Sequence, residues 1–391
     1  MNQKSNNRLN NSYFMAEDKV NGWGNTTFFT YYSEFNRGSD ENPYIEAAVL
    51  NILCMFSTVA NLIIFMTLTC NRSLRTVTNF FICNLTVSDM LFTISGPFIG
   101  ACRITQSWTM GEFACKSIVY MQLVCSTVSI WTMVMISVER FICIVRAARA
   151  VFTHRIAVIV IIVIWVVTLL FFLPAALYFR VMTFPFGNTT VDVCTIDWPK
   201  VRSIQLPLIF TVFVILIVFL APFLLLTHNY IRIFWRFWNA RNILKRTRVQ
   251  YDPTWPKVSL HVRQMRDARD LKVVKILFSL VIIFTIMWMP IFTVFLYILI
   301  DIALNDMKLG SYIFIISICI SMGNACINPI LYGVMNEHLK TVLLSCIKPQ
   351  PETDARQNVN NGQPTTIERP QRNLVKPCSI HGIQPIPEEP D

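Results

Sequence analysis

Charge is scarce in this chain. Asp, Glu, Lys and Arg make up 15% of its 391 residues, against about 25% in soluble domains. Glycine is sparse too: 12 residues leave little for the unwound Gly- and Pro-rich segments from which transporters build their binding sites. The five histidines are scattered, none at paired helical spacing, and no nucleophile–base or metal-ligand constellation appears. The chain is therefore not expected to be an enzyme. Residues 1–43 are polar and lack the apolar core of a signal peptide, so the first apolar stretch is expected to act as its own insertion signal.

What is abundant is apolar length. Hydrophobic residues make up 54% of the chain, and mean hydropathy is +0.49. Seven apolar stretches lie near 45–69, 80–102, 113–145, 156–178, 206–235, 273–302 and 311–335. Each reaches the roughly 17–25 residues that cross a bilayer as a helix. They predict an all-α membrane protein, a seven-transmembrane helix bundle over residues 44–335. A disordered extracellular tail (1–43) precedes it; a short amphipathic helix (336–348) and a disordered cytoplasmic tail (349–391) follow it. No room is left for a soluble catalytic domain.

Basic residues set the orientation. Residues 232–275 carry twelve Lys or Arg against three Asp, the connection 71–75 has two Arg and no acid, and 146–155 adds three Arg. The opposite loops and the N-terminal tail are of mixed sign. The chain is thus predicted to be a multi-pass plasma-membrane protein with its N-terminus outside. The net charge of +11 then falls mainly on the inner surface, toward anionic lipid and a cytoplasmic protein, and nucleic acid is not needed to explain it. Sequons at Asn10, Asn25 and Asn188 fall on the predicted outer side. Most of the twelve Cys lie inside spans as small apolar fillers. Cys115 opens the third stretch and Cys194 lies between the fourth and fifth; on an oxidising outer face they are expected to bond, pinning that connection over the mouth of the bundle. Cys346 ends the amphipathic stretch, where a palmitoyl chain and a free thiol both fit.

One carboxylate sits where none should be. Asp89 lies near the middle of the apolar stretch 80–100, where a charge costs at least about 2.5–3.5 kcal/mol. It must face a polar cavity between helices, as a functional group or as a protonated residue tying helices together.

Other signals recur at fixed places. Asn328-Pro329-Ile330-Leu331-Tyr332 is an NPxxY pattern in the last stretch, Glu139-Arg140-Phe141 ends the third, and Met287-Trp288-Met289-Pro290 lies in the sixth. Together they resemble the rhodopsin-like family of G-protein-coupled receptors across all seven stretches. In that family the Glu139-Arg140 pair, with Asp270 as a partner on the sixth stretch, implies an inner-face lock. Phe141 departs from the family's Tyr. Tyr230 and Tyr332 match its two inner tyrosines, and Pro222, Ile130 and Phe284 its packing switch. Asp89, Ser129, Asn324 and Asn328, with Asn61 nearby, match its sodium pocket; Na⁺ is the one cofactor the resemblance implies. Expected partners are a heterotrimeric G protein, arrestin, receptor kinases and membrane lipid.

The resemblance narrows the ligand by exclusion. Residues 309–339 contain no Lys for a retinal Schiff base. Gln122, seven residues past Cys115, stands where monoamine receptors carry Asp, and it cannot neutralise an ammonium. Arg103, six residues past Pro97, has surroundings similar to those of the long-chain free fatty acid receptors, in which the matching Arg is taken to bind the carboxylate. A guanidinium fits a carboxylate bidentately, and each buried CH₂ of an acyl tail adds about 0.8 kcal/mol. A snorkelling interfacial Arg is the ordinary alternative. Trp108, Gln122, Arg180, Trp198, Trp288 and Phe314 complete the expected ligand set, with Arg180 as the reserve cation. Val119, Leu123 and Pro207 depart from that receptor's pocket residues. A basic peptide greeted by the net-acid N-terminal tail is the alternative ligand.

Overall fold

The structure, a computed structural model, describes residues 15–17, 27–29, 42–146, 153–186, 189–199, 206–249, 282–297 and 311–335, with residues 279, 300 and 341. The chain divides into two units, 1–340 and 341–391. Of the second, only Thr341 is described, helical and exposed. Asn10, Asn25, Asn188, Asp270 and Cys346, the amphipathic helix apart from Thr341, and the C-terminal tail lie outside the described residues.

Six helices among the described residues are long and apolar enough to cross a membrane: Pro43–Cys70, Val77–Thr105, Gly111–Ile144, His154–Tyr178, Leu208–Arg236 and Ile313–Gly333. A shorter apolar helix, Ile282–Tyr297, fills the centre of the stretch expected at 273–302. In chain order these seven are the first to seventh spans. Ile52, Met55 and Val59 on the first, and Ile159, Ile162 and Val163 on the fourth, face outward from the bundle, as lipid contact requires.

The helix starts have local causes. Asn42 accepts bonds from the Tyr44 and Ile45 N–H groups at 3.1 and 3.3 Å, and Pro43 fills the first position, where its missing N–H costs nothing. Thr76 and Thr153 cap the second and fourth spans in the same way.

Three spans expected to be uninterrupted are broken, and the cause in each lies near a proline. The second runs Val77–Thr93 and then Ser95–Thr105, with Pro97 in the first turn of the second segment. The Thr93 hydroxyl bonds Asp89 O, and that of Ser95 bonds Phe92 O. Side-chain hydroxyls thus add bonds to the backbone on either side of the break. The fourth restarts at Leu173 beside Pro174. The fifth widens into a π-helix at Ile215–Leu220 immediately before Pro222, and its continuation Ala221–Val249 is helical well beyond the expected end at 235. The seventh carries Pro329 inside an unbroken helix, Ser311–Met335.

Buried polar groups staple the helices. Asn84 donates to Thr132 Oγ1 at 2.7 Å and accepts from Trp165 Nε1 at 2.8 Å, joining the second, third and fourth spans. Asn61 donates to Ala325 O at 3.0 Å, joining the first and seventh. At one end of the first–second interface the backbones nearly touch. A Cβ on Gly96 would meet Leu50 O at 2.9 Å, and one on Gly100 would meet Ala47 Cα at 3.2 Å. Small residues at four-residue spacing allow this approach.

Residues 179–196 form an antiparallel hairpin, Phe179–Phe186 with Thr189–Ile196, in which Val181 faces Cys194. The connection was expected to be long and pinned, but not to be a hairpin. Cys194 is bonded to Cys115, as expected. Trp108 N also donates to Asp192 O at 2.7 Å, a second tether from the connection between the second and third spans. Within 1–43, expected to lack structure, Met15–Glu17 and Thr27–Phe29 pair antiparallel.

Candidate functional site

One turn in from Cys115 the third span presents Val119, Gln122, Leu123, Ser126 and Thr127 to the bundle interior, the i, i+3, i+4, i+7, i+8 face of a helix. With Phe92, Phe172, Val218, Phe219, Trp288, Ile291, Phe295, Phe314 and Ser321 they line a cavity of about 50 Å³. No charged side chain is among its lining residues. Trp288 forms part of the wall, its ring 5.9 Å from that of Phe92 and 6.1 Å from that of Phe284. Trp288 Nε1 and Thr127 Oγ1 are buried without a hydrogen-bond partner among the described residues. Each such group costs about 1–3 kcal/mol when left unpaired, so a polar atom of a bound molecule within reach of either would recover that energy.

Of the seven residues expected to hold the ligand, Gln122, Trp288 and Phe314 line this cavity. The other four do not. Arg103 is fully buried, with its Nε 2.6 Å from Glu46 Oε2 and its Nη2 3.1 Å from Glu46 Oε1. It is not a snorkelling residue; its fork clasps a carboxylate of the first span. Trp108 is buried and donates to Gly111 O at 2.8 Å. Arg180 pairs with Asp197. Trp198 packs between Tyr178 and Phe210, with ring centroids at 5.5 and 5.2 Å. Phe92, Thr127, Phe172 and Phe219 are wall residues that the sequence reading missed. The helical spacing from Gln122 would have found Thr127, whereas the aromatics come from other spans and leave no local signal.

The polar cluster in the bundle interior assembles largely as expected. Asp89 is buried, with its Oδ1 2.7 Å from Ser129 Oγ and its Oδ2 2.8 Å from Asn328 Nδ2. Ser129 Oγ also lies 2.9 Å from Ser88 Oγ. The carboxylate therefore ties the second, third and seventh spans together. Asn324, one turn before Asn328, is buried as well, but makes no bond to Asp89 among the described residues.

At the bundle end opposite the hairpin, Arg140 Nε lies 3.4 Å from Glu139 Oε2, an ion pair without hydrogen-bond geometry. Thr78 Oγ1 donates to that same carboxylate oxygen at 3.1 Å, linking it to the second span. Asn229 donates to Ser137 Oγ at 3.0 Å across the third and fifth spans. Tyr230 and Tyr332 are both buried, and the Tyr332 hydroxyl lies 3.2 Å from Met133 Sδ. Phe141 packs against Arg146, whose guanidinium sits 5.8 Å from the ring centroid. The position that lost a hydroxyl thus supports a cation through its ring face. Pro222, Ile130 and Phe284 are each buried. Asp270, the expected third member of the lock, lies outside the described residues.

Comparison with known proteins fits this architecture. A family model described as 7 transmembrane receptor (rhodopsin family) matches residues 60–332. Free fatty acid receptor 4 of Mus musculus is 29% identical over 318 residues, 79% of this chain and 84% of that protein. Neuropeptide FF receptor 2 of Mus musculus is 28% identical over 339 residues, covering 81% and 77%. Neuropeptide Y receptor type 2 of Homo sapiens is 27% identical over 330 residues, 81% of each chain. These relatives are receptors, not enzymes.

Proposed function

The chain belongs to the rhodopsin family of seven-transmembrane receptors, and from that membership we propose that it is a plasma-membrane receptor, N-terminus outside, for a long-chain lipid acid. The acyl tail occupies the apolar cavity, and the ligand's arrival is passed to a heterotrimeric G protein at the Arg140 end, where arrestin and receptor kinases act later. It catalyses no reaction. The observation that carries this reading is the uncharged, aromatic-rich lining of the cavity, which rewards an apolar chain and would strand a charged one. Arg103 lies eleven residues past Phe92 on the same span, about 16 Å of helix rise, so a ligand reaching from cavity to guanidinium has to be long. The likeness to Free fatty acid receptor 4 supports the same class. The cavity's small volume means that side chains have to turn aside as the tail enters.

A series of saturated fatty acids in a second-messenger assay tests this. Potency should rise about fourfold per added methylene, the equivalent of roughly 0.8 kcal/mol, until the cavity is full. A flat series, with activation by a basic peptide instead, would replace the lipid by a peptide. That second reading draws on the neuropeptide receptors that match at nearly the same identity.

We also propose that the Asp89 cluster takes Na⁺. The donors are hard oxygens, the carboxylate and Ser129 Oγ are already within 2.7 Å, and Asn61 Oδ1 on the neighbouring span is a buried acceptor without a partner. Asp89→Asn should abolish any dependence of agonist affinity on Na⁺ measured against choline. Salt sensitivity surviving in that variant would remove the ion from this site.

A further inference from the structure

Glu46 is an acid that nothing in the sequence marks. It stands in the first turn of the first span, and Arg103 in the last turn of the second. Below the pair, Gly100 lies against Ala47 and Gly96 against Leu50, so the two helices are held close and the pair cannot drift apart by sliding. Two guanidinium contacts to Glu46, Nε to Oε2 and Nη2 to Oε1, use the planar fork that matches a carboxylate. The two partners differ in access. Arg103 has no exposed surface, whereas the Glu46 side chain keeps 18% of its own. The half of the pair that reaches outward, and that can leave, is the carboxylate.

We propose that Glu46 is a resident carboxylate that sets the receptor's sensitivity to acids: it holds the Arg103 fork at rest and yields it to the carboxylate of a long-chain ligand. The inference rests on the lipid-acid reading above. Exchange puts one carboxylate in the place of another on the Arg103 fork, so the charge facing the fork at that point is unchanged by binding. The cost is that the apparent affinity of every acid is reduced by the fraction of time in which Glu46 has left the fork. Short acids, with little tail to bury, fail against that threshold, and long ones pass it. Glu46 is in this sense a positioning and specificity residue that acts through Arg103.

The test compares oleic acid with its methyl ester on the wild type, Glu46→Gln and Glu46→Asp, normalised to surface expression. In Glu46→Gln the acid should gain at least about tenfold in potency, the lower end for a charge-assisted hydrogen bond, while the ester stays put; Glu46→Asp should remain near the wild type. Because the Gln variant removes a charge from a buried ion pair, a second readout covers weak expression. Oleic acid should raise the Tm of purified Glu46→Gln more than that of the wild type, and the ester should shift the two proteins alike. Acid and ester moving together, or equal thermal shifts in wild type and variant, would make the pair purely a helix staple and overturn the proposal. If neither compound binds any of the three proteins, the lipid-acid reading fails and this inference falls with it. If the acid binds all three equally, only this inference falls.

Discussion

Arg103→Ala, made alone, is expected to empty the cell surface of receptor rather than merely weaken a ligand. The substitution leaves Glu46 at a close-packed helix interface without the cation that it pairs with. Removing one partner of a buried pair costs about 3–5 kcal/mol, mostly the penalty of the charge left behind. That is a large share of the 5–15 kcal/mol by which proteins are stable. Adding Glu46→Gln should restore much of the loss, because a neutral amide at that position needs no counter-charge. The double variant would then be better expressed than Arg103→Ala, the reverse of what independent sites show. Radioligand-free surface staining of the two single variants and the double measures this directly. A double variant as poor as the sum of the two would mean that Glu46 and Arg103 act separately. The result also decides how ligand data are read, since only Arg103→Ala on the Glu46→Gln background reports on carboxylate recognition free of misfolding.

Loss of the disulfide should be of similar size. The Cys115–Cys194 bond joins positions 79 apart in sequence, and removing a native disulfide typically costs about 2–5 kcal/mol. Cys115→Ala and Cys194→Ala should each lower surface expression to the same degree, and the double variant should be no worse than either, because both substitutions delete one bond. The Trp108-to-Asp192 tether remains in all three, so the hairpin should keep a residual attachment and the proteins some expression. Additive losses in the double variant would show that the thiols have separate roles.

The positions of the spans were legible because a bilayer demands apolar length, and length is a local property of sequence. The cluster around Asp89 was legible in two parts: an acid in an apolar stretch must find polar company, and the resemblance to the receptor family implied that Ser129 and Asn328 would be among that company. Arg103 shows the limit. Its exposure to lipid or ligand could be argued from its own neighbours, but its partner lies on another helix, and no period in a sequence tells which residues of two helices meet. The breaks in the second and fourth spans had a visible cause in Pro97 and Pro174, though a proline does not say whether a helix bends or stops; Pro329 does neither visibly. The hairpin has a local cause in the sequence. Two β-branched and aromatic runs flank Gly187-Asn188, a two-residue turn signal that marks the hairpin locally.

The π-helix at Ile215–Leu220 works as an index mark on a dial. Its i→i+5 bonds place more residues in a turn than an α-helix holds, so everything that follows is rotated relative to a regular helix, by about 100° for each extra residue. Asn229, which reaches Ser137, and Tyr230 beside it owe their inward bearing to that offset. A tightening of the wide turn to ordinary α-helix would swing both away from the third span while leaving the Val214 side of the cavity where it is. The two ends of the fifth span can therefore be set independently, and the segment between them is where their angular difference is stored.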